Sequence, residues 1–477
     1  MAQQKARRLS SAEVSARNAL MSLAKAVLVL FQTALFGGTW FLFYAGRLSP
    51  SPADIRHWGL IAAYLVLFKV LAGVYGGFQA GNSSVPEIVY SLGVAQFLTL
   101  FFEYLLLCLA ACRLMNPLAL LGLLAAGCLV NLLWALAADR LSRALFPPRR
   151  TYIIYDRPEV CWEIDDVKKI RRKFLIRGEL DISDGVQEVF RRLEDGEAEA
   201  VFLCGLHSSD RNTVLKYCVE RNIQVYIRPK IGDLLVSGST QLQLSNVPVL
   251  HCGRNRTSLL YLGIKRGLDI LLSGVTLVVF SPVMAGVALA IRLYDGGPAF
   301  YRQTRLTKDG RRFDILKFRS MRVDAEKDGV ARLAAEGDDR ITPVGRFIRK
   351  VRLDELPQLL NILKGDMSLV GPRPERPEIA AQYEAEMPEF SLRLQAKAGL
   401  TGYAQIYGKY NTRPYEKLQM DLIYIANQSV AQDLKLLFAT VKILFMPEST
   451  EGVQEGQVTA AEPVVRPAEG RREALKK

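Results

Sequence analysis

The N-terminal part of the chain consists of long apolar stretches separated by short polar loops. Four such stretches cover approximately residues 23–45, 58–78, 88–111 and 117–137. Each approaches the ~20 residues that an α-helix needs to cross the hydrocarbon core of a bilayer. The pattern therefore predicts a four-helix transmembrane bundle over residues 23–138, preceded by a polar arm over residues 1–22.

Basic residues on either side of the stretches predict the orientation of this bundle. The arm is rich in lysine and arginine and lacks the cleavage site of a signal peptide. Further arginines follow the fourth stretch at Arg140, Arg143, Arg149 and Arg150. Because four crossings return the chain to its starting side and basic residues favour the cytoplasm, we expect the arm and everything after the bundle to be cytoplasmic.

Two ionisable residues interrupt the apolar stretches, Lys69 in the second and Glu103 in the third. Such residues are costly in lipid unless they are paired or solvated. Their positions predict similar depths, so we expect them to face each other inside the bundle. A structural ion pair is the favoured interpretation, and a substrate or proton path is the alternative.

The pattern changes over residues 150–254, where short apolar strands alternate with amphipathic helices. Strands are predicted at 151–155, 173–177, 200–206 and 224–228, and helices at 186–193 and 210–221. This alternation is typical of a small parallel α/β domain of Rossmann type. The turn after the first strand reads Asp156-Arg157-Pro158-Glu159 and lacks the glycines that let a backbone approach a pyrophosphate. We therefore expect a structural or regulatory spacer without a dinucleotide.

A fifth apolar stretch, residues 268–293, differs from the first four because Pro282 lies near its middle, directly after Ser281. A proline inside a helix removes one hydrogen bond and bends the helix. Basic residues flank the stretch at Lys265, Arg266 and Arg292. We expect a re-entrant helix that enters one leaflet and returns, with the Ser281 hydroxyl as a partner for the freed backbone groups. An ordinary kinked crossing is the alternative.

Composition agrees with a membrane protein that carries a basic peripheral part. Half of the 477 residues are hydrophobic, although the formal net charge is +14, so apolar and basic residues must be segregated along the chain. No nucleic-acid-binding motif accompanies the positive charge, and we expect no nucleic-acid partner. The last segment, residues 448–477, has few large apolar residues and is predicted to be disordered.

The distribution of cysteine and histidine limits the available chemistry. All 7 cysteines and all 3 histidines lie before residue 253, and none forms a C-x-x-C motif. Chemistry in the later part of the chain therefore depends on carboxylate, hydroxyl or amine groups, or on a bound metal ion.

Asp354 and Glu355 are the carboxylates with the most suggestive surroundings. Pro357 fits only the first turn of the apolar helical run that follows, so we expect both carboxylates at a helix N-terminus. Unpaired N–H groups and nearby arginines such as Arg349 favour ionised carboxylates and bound phosphate there. Such a carboxylate is a candidate nucleophile or Mg²⁺ ligand, and a structural helix cap is the alternative.

A second candidate is the sequence Gly371-Pro372-Arg373-Pro374. The two prolines fix the backbone around Arg373 and reduce the entropy that is lost when its guanidinium binds an anion. A rigid surface turn with a solvated arginine is the alternative.

Residues 261–445 resemble the catalytic domain of the monotopic phosphoglycosyl transferases, the bacterial sugar transferase family. The resemblance rests on six ordered motifs: Lys265-Arg266-x-x-Asp269, Ser281-Pro282, Lys317-Phe318-Arg319, Asp354-Glu355-Leu356-Pro357-Gln358, Gly371-Pro372-Arg373-Pro374 and residues 399–405. It implies a re-entrant helix and a mixed α/β catalytic domain over residues 262–446. The preceding bundle and Rossmann-like domain resemble the long subgroup that initiates exopolysaccharide, capsule or O-antigen synthesis.

The resemblance implies that Asp354 attacks the β-phosphorus of a UDP-sugar, expels UMP and holds the sugar phosphate until undecaprenyl phosphate accepts it. It implies that Asp354 and Glu355 bind Mg²⁺. The residues implied to contact phosphates or the nucleotide are Lys317, Arg319, Arg349, Arg373 and Arg376, and those implied to break the membrane helix are Ser281 and Pro282. It also implies an inner-membrane protein with a cytoplasmic catalytic domain, and a homodimer.

Three positions depart from the family pattern: Ala398 replaces a common proline, Lys409 replaces an arginine, and Arg352 stands where serine or threonine is usual. The sugar remains open among glucose, galactose and N-acetylated derivatives. A non-catalytic membrane scaffold or sensor of glycan assembly is the alternative function. A nucleotide-sugar oxidoreductase would need the glycine fingerprint that this chain lacks.

Overall fold

The computed structural model describes residues 11–48, 51, 53–156, 173–254, 257–322, 338, 340–408 and 412–444. The chain divides into two compact units, Met1–Arg228 and Pro229–Lys477. The first ten residues of the predicted arm, Lys409 and the predicted disordered tail at residues 448–477 lie outside the described residues.

Four long helices open the first unit, as the apolar pattern predicts. They span Ser11–Phe43, Ile55–Val74, Val85–Ala111 and Leu118–Leu145, with a short helix at Ala45–Leu48. These four, and one helix of the second unit, are long and apolar enough to cross a membrane. The protein is therefore a multi-pass membrane protein.

A polar network occupies part of the interior of this bundle. The Gln32 side-chain amide donates to the Gly127 carbonyl and to Asn131 Oδ1, both at 3.0 Å, and Asn131 Nδ2 donates to Gln96 Oε1 at 2.7 Å. A Cβ on Gly127 would collide with the Gln96 amide, so the glycine makes room for that side chain. Small residues and buried amides of this kind join helices where the hydrophobic effect contributes little.

The predicted pair between Lys69 and Glu103 is wrong. Lys69 is exposed on the outer face of its helix, whereas Glu103 is buried and its carboxylate oxygens have no hydrogen-bond partner among the described residues. The reason is the rotation of the helix Ile55–Val74 about its own axis. Phe68 and Leu71 are among the buried residues of that helix, and Lys69 lies on its exposed face.

A parallel sheet forms the rest of the first unit. Its strands are Arg149–Tyr155, Phe174–Asp181, Ala200–Cys204 and Gln224–Ile227, and its helices are Val186–Asp195 and Ser208–Glu220. The first strand lies between the second and third, and the fourth pairs with the third. Ile153, Ile154 and Val201 are fully buried in this sheet. The four predicted strands and both predicted helices are thus present.

The second unit is a mixed α/β domain. Its strand pairs are Thr240–Leu244 with Val247–His251, Phe300–Leu306 with Arg312–Phe318, and Ser368–Val370 with Gly399–Thr401. Its helices are Ile231–Ser237, Leu259–Asp295, Pro343–Lys350, Gln358–Lys364, Pro377–Glu386, Tyr403–Tyr407, Pro414–Ala426 and Val430–Leu444. Short 3₁₀ segments are Lys308–Gly310, Leu353–Glu355 and Pro388–Gln395.

One hydrophobic core joins these elements. Ile362, Met367, Leu418 and Leu436 are completely buried in it. Each such side chain contributes roughly 1.5–3 kcal/mol when it leaves water. Because Ile362 and Met367 flank the end of helix Gln358–Lys364, the core fixes the segment that follows the candidate carboxylates.

The helix Leu259–Asp295, called here the long helix, is attached near its start by a buried ion pair. Lys265 Nζ lies 2.8 Å from Asp433 Oδ2, and the two side chains are 13% and 6% exposed. The hydroxyls of Tyr261 and Tyr424 donate to the same carboxylate, each at 2.9 Å. Asp433 therefore accepts from three donors, which offsets the cost of burying its charge.

Two further motif residues attach the same end of the long helix. The Arg266 guanidinium donates to the carbonyls of Ile362 and Leu363 at 2.6 and 2.7 Å. Asp269 accepts from the Leu369 backbone N–H at 3.0 Å. These contacts satisfy the end of a helix and the start of a strand, so the K-R-x-x-D motif has a structural role in this unit.

The other end of the long helix packs against the same unit. Ile291 contacts the buried side chains of Phe318 and Ile348. Asp295 forms an ion pair with Arg319. Between the two attached ends, the side chains of Leu271, Val275, Val278 and Val279 are exposed.

We expect Lys265→Met to destabilise the second unit by about 3–5 kcal/mol, because it leaves the buried Asp433 carboxylate without its cation. Thermal unfolding of the detergent-held protein measures this loss. Arg311→Met is the matched control, since Arg311 is 59% exposed in its pair with Asp366 and should cost at most about 1 kcal/mol. Equal losses in the two variants would contradict the proposed role of the buried pair.

Candidate active site

Asp354 and Glu355 lie in the 3₁₀ turn Leu353–Glu355, which leads through Pro357 into helix Gln358–Lys364. The pair thus directly precedes a helix, as the position of Pro357 predicts. Arg352 enters this turn with φ 57° and ψ 20°, in the left-handed region. A side chain in that region costs roughly 1–2 kcal/mol, and such strain is found most often at functional sites.

Glu355 is held by cations from separate elements. Its Oε1 accepts from Lys317 Nζ at 3.3 Å and from Arg373 Nη2 at 3.1 Å. Arg352 Nη1 lies 4.0 Å from Oε2. Burial alone would raise the pKa of Glu355, but these cations outweigh it and hold the pKa well below its ordinary value. Glu355 is therefore ionised at any physiological pH.

Asp354 has the opposite electrostatic environment. Burial and repulsion by the Glu355 carboxylate raise the pKa of Asp354 to about 6, and Lys317, Arg349 and Arg352 limit the rise. Its carboxylate accepts no hydrogen bond from a described residue. At neutral pH it is ionised, more basic than an ordinary aspartate and not engaged by donors from the described part of the chain. These are the properties of a carboxylate nucleophile.

Lys317 is fixed relative to the carboxylates by an asparagine clamp. It lies near the end of strand Arg312–Phe318, and burial lowers its pKa. The Asn361 side chain accepts from Leu316 N at 2.9 Å and donates to the Asp314 carbonyl at 2.8 Å. Because Asn361 belongs to the helix that follows the carboxylate pair, strand and helix hold the two sides of the site together.

Arg373 is carried by the segment 371–376, called here the arginine turn, which packs closely against the backbone near residue 399. A Cβ on Gly371 would lie 2.2 Å from a carbonyl oxygen of the neighbouring segment, and one on Gly399 would lie 2.1 Å from the Gly371 nitrogen. No larger residue fits either position without displacing backbone. The glycines of these two motifs therefore permit the approach that brings Arg373 to Glu355.

The other predicted basic residues occupy different places. Arg349 is half-buried on helix Pro343–Lys350, and its charge lowers the pKa of Asp354. Arg376 precedes helix Pro377–Glu386 at the end of the arginine turn. Arg319 is buried in its ion pair at the end of the long helix. None of the described contacts of Arg319 reaches the carboxylate pair.

Ser281 and Pro282 lie inside the long helix, distant in sequence from either attached end. Proline has no N–H, so it cannot donate to the carbonyl of Val278 four residues earlier. The Ser281 hydroxyl donates to that carbonyl instead, at 2.8 Å. Ser281 thus supplies a hydrogen bond to the carbonyl that Pro282 leaves without an N–H donor.

Three charged residues near the arginine turn are not identified by the sequence patterns. Arg305 and Arg393 donate to its carbonyls, and Asp421 pairs with Arg393. Arg393 and Asp421 are 3% and 1% exposed and lie 2.7 Å apart. The available sequence signal is Asp421 itself, because a carboxylate between the apolar residues Met420 and Leu422 indicates a buried partner. Sequence alone does not show which cation supplies it.

The carboxylate pair has the ligand chemistry that Mg²⁺ prefers. Among the described residues, no group of three or more His, Cys, Asp or Glu side chains could hold a metal ion. Magnesium, however, keeps several waters and is usually bound by one or two carboxylates together with substrate phosphates. Two neighbouring carboxylates, of which Asp354 accepts no hydrogen bond within the described ranges, fit that mode of binding.

Comparison with known proteins finds a family match over the second unit. Residues 260–447 match the family model described as bacterial sugar transferase. A UDP-glucose:undecaprenyl-phosphate glucose-1-phosphate transferase of Caulobacter vibrioides is 43% identical over 190 residues, which cover 39% of this chain and 71% of that protein.

Two further relatives extend the match. A UDP-N-acetylgalactosamine-undecaprenyl-phosphate N-acetylgalactosaminephosphotransferase of Aeromonas hydrophila is 37% identical over 233 residues, 48% of this chain and 54% of that protein. A UDP-glucose:undecaprenyl-phosphate glucose-1-phosphate transferase of Escherichia coli K12 is 39% identical over 222 residues, 46% of this chain and 48% of that protein. The chain thus spans about half the length of these two curated relatives.

We expect Asp354→Asn and Glu355→Gln to change stability in opposite directions. The folded state raises the pKa of Asp354 from 3.8 to about 6, so the ionised form destabilises the protein above that pH, and the asparagine variant should be more stable by about 2–3 kcal/mol at pH 8. This gain should shrink as the pH falls toward 4. Thermal unfolding between pH 8 and pH 5 measures it.

Glu355→Gln is the matched control for this effect. The folded state lowers the pKa of Glu355, so its ionised form stabilises the protein above pH 4.5, and glutamine should lower the melting temperature at pH 8. A shift of the same sign in both variants would show that the two carboxylates do not have the opposite environments described above.

Proposed function

Because the chain belongs to the bacterial sugar transferase family, we propose that it transfers a sugar 1-phosphate from a UDP-sugar to undecaprenyl phosphate and releases UMP. The observation that carries this proposal is the pair of unlike carboxylates among cations. Four cations, Lys317, Arg349, Arg352 and Arg373, surround Asp354 and Glu355. The excess of positive charge suits a diphosphate substrate and a phosphate acceptor.

In the proposed reaction the Asp354 carboxylate is the nucleophile. One of its oxygens attacks the β-phosphorus of the donor, the bond between that phosphorus and the bridging oxygen breaks, and UMP leaves with the electron pair. A phosphate oxygen of undecaprenyl phosphate then attacks the same phosphorus. The aspartyl bond breaks, and the carboxylate is regenerated. The raised basicity of Asp354 strengthens the first attack.

Glu355 is proposed as the charged support of this nucleophile. It remains ionised between Lys317 and Arg373, so its negative charge repels the carboxylate of Asp354 and keeps it basic. Arg373 and Arg349 are proposed to contact the diphosphate, as are Lys317 and Arg376. Arg319 is proposed as a further phosphate contact, because its Nη1 has no hydrogen-bond partner among the described residues.

We propose that Asp354 and Glu355 hold Mg²⁺ together with phosphate oxygens of the donor. When bound, the ion offsets the negative charge of the diphosphate. The chain's own contribution is to keep both carboxylates ionised at neutral pH, which oxygen ligation requires.

The long helix is proposed to be re-entrant in the membrane. Both of its ends attach to the same unit, through Asp433 at one end and Arg319 at the other. The exposed apolar residues lie between them, around Pro282. A complete crossing would leave ~30 Å of hydrocarbon between those two attachments. Entry into one leaflet instead keeps the active site at the surface where the acceptor's phosphate lies.

We further propose that the enzyme resides in the bacterial inner membrane, faces the cytoplasm and works as a homodimer. Its sugar phosphate would begin an exopolysaccharide, capsule or O-antigen repeat unit. The parallel sheet of the first unit is proposed to be a Rossmann-like domain with a structural or regulatory role.

Purified protein in nanodiscs should release UMP from one member of a panel of UDP-sugars when undecaprenyl phosphate is present. Asp354→Asn should abolish this release, because no other carboxylate in the turn is basic at neutral pH. With the donor alone, mass spectrometry should find a hexose-phosphate adduct on Asp354. EDTA should stop the release, and added Mg²⁺ should restore it.

Asp366→Asn is the control for that experiment, since Asp366 contacts Arg311 at the surface of the same unit. Its activity should match the wild type. Full turnover in Asp354→Asn, or turnover by a wild type that never carries the adduct, would remove the proposed nucleophile.

Single cysteines at Ser258 and Tyr294, on either side of the long helix, should react with a membrane-impermeant maleimide from the same face of membrane vesicles. The native cysteines are first replaced with serine. Arg113→Cys, in the loop between the third and fourth helices, should react from the opposite face. Labelling of Ser258→Cys and Tyr294→Cys from opposite faces would establish a complete crossing.

A further inference from the structure

The arginine turn is held at four consecutive carbonyl groups. The Pro372 carbonyl accepts from Gly399 N at 2.8 Å, and the Glu375 carbonyl accepts from Leu306 N at 3.0 Å. Between them, the two remaining carbonyls accept from side chains, not from backbone. The Arg373 carbonyl accepts from Arg393 Nη2 at 2.9 Å, and the Pro374 carbonyl accepts from Arg305 Nη1 at 3.2 Å.

Arg393 is the more deeply buried of the two arginines. Its side chain is 3% exposed, Nη2 lies 2.7 Å from Asp421 Oδ2 and Nη1 lies 3.6 Å from Glu375 Oε1. The guanidinium also lies over the Phe390 ring, 4.8 Å from its centroid. The Arg393 guanidinium thus contacts Asp421 on helix Pro414–Ala426 and also contacts the arginine turn at Arg373 and Glu375. Arginine is suited to this role because its donors have a fixed, planar arrangement.

The buried charges are poorly explained by stability alone. Burial raises the pKa of Asp421 to about 6 even with Arg393 beside it, so the ionised pair costs free energy. Apolar residues of similar volume commonly replace buried ion pairs without loss of stability. An apolar residue, however, cannot donate a hydrogen bond to the Arg373 carbonyl. That carbonyl belongs to the residue whose side chain contacts Glu355.

We propose that Arg393, oriented by Asp421, is a positioning residue that fixes Arg373 against Glu355 and the donor diphosphate. This inference rests on the proposed function. Arg393 does not contact the carboxylate pair, and its contribution passes through the backbone of Arg373. Loss of the Arg393 contact frees the Arg373 carbonyl, which widens the range of positions that the Arg373 guanidinium samples.

A double-mutant cycle between Arg393 and Arg373 tests this route. Arg393→Lys keeps the charge but not the planar set of donors, and it should lower kcat/KM for UMP release by about 10–100-fold, as for other residues that orient a functional group. In an Arg373→Ala background the same change should cost less than about threefold, because the group that Arg393 positions is absent. Equal losses in both backgrounds would overturn the proposal.

Two further variants distinguish a loss of Arg373 positioning from a general loss of stability. Asp421→Asn preserves the size of the side chain and should produce a smaller loss that also vanishes in the Arg373→Ala background. Glu103→Gln alters a comparably buried carboxylate in the first unit, and its effect should remain the same in both backgrounds. If Arg393→Lys does not fold, the Asp421→Asn cycle decides the question.

Hydrogen exchange tests whether Arg393 holds the arginine turn, without any activity measurement. The amides of Leu306 and Gly399, which donate to carbonyls of the arginine turn, should exchange faster in Arg393→Lys and Asp421→Asn than in the wild type. Glu103→Gln should leave their exchange unchanged. Exchange at the wild-type rate in both Arg393→Lys and Asp421→Asn would overturn the proposal. The proposed function would instead be refuted by wild-type protein that releases no UMP from any donor while hydrogen exchange shows that the arginine turn is held.

Discussion

The site depends on the contact of the Glu355 carboxylate with Lys317 and Arg373. These two cations come from a strand and from the arginine turn, and the carboxylate comes from the 3₁₀ turn between two helices. Joined at one oxygen atom, they bring three distant segments of the chain to one place. Burial and the like charge of Glu355 outweigh the attraction of Lys317 for Asp354, so the pKa of Asp354 stays above its ordinary value.

Such an arrangement places function and stability in opposition. Asp354 is buried beside a carboxylate that stays ionised, Arg352 adopts a left-handed backbone conformation, and Arg393 and Asp421 bury a charged pair. Each feature lowers the free energy of unfolding, and a protein of the same fold without a function would not need it. The hydrophobic core that contains Ile362 and Met367 offsets these costs, and it lies immediately beside them.

Local features of the fold are predictable from the sequence because they depend on neighbouring residues. Apolar length predicts the four helices of the bundle, alternation predicts the parallel strands, and Pro357 predicts the helix after the carboxylates. The pairing of Lys69 with Glu103 failed, because apolar length gives depth in a membrane but not the face on which a side chain lies. The partnership of Arg393 with Asp421 joins residues on separate elements, and no local pattern contains it.

The two attachments of the long helix make membrane residence part of the folded state of the catalytic unit. Arg266 closes the helix that follows the carboxylates, Asp269 closes the strand before the arginine turn, and Arg319 is neutralised by Asp295. A protease that cut after this helix would separate the rest of the second unit from these contacts. The segments on both sides of the candidate active site would lose partners, so the fold of this unit depends on a helix that is apolar enough to cross a membrane.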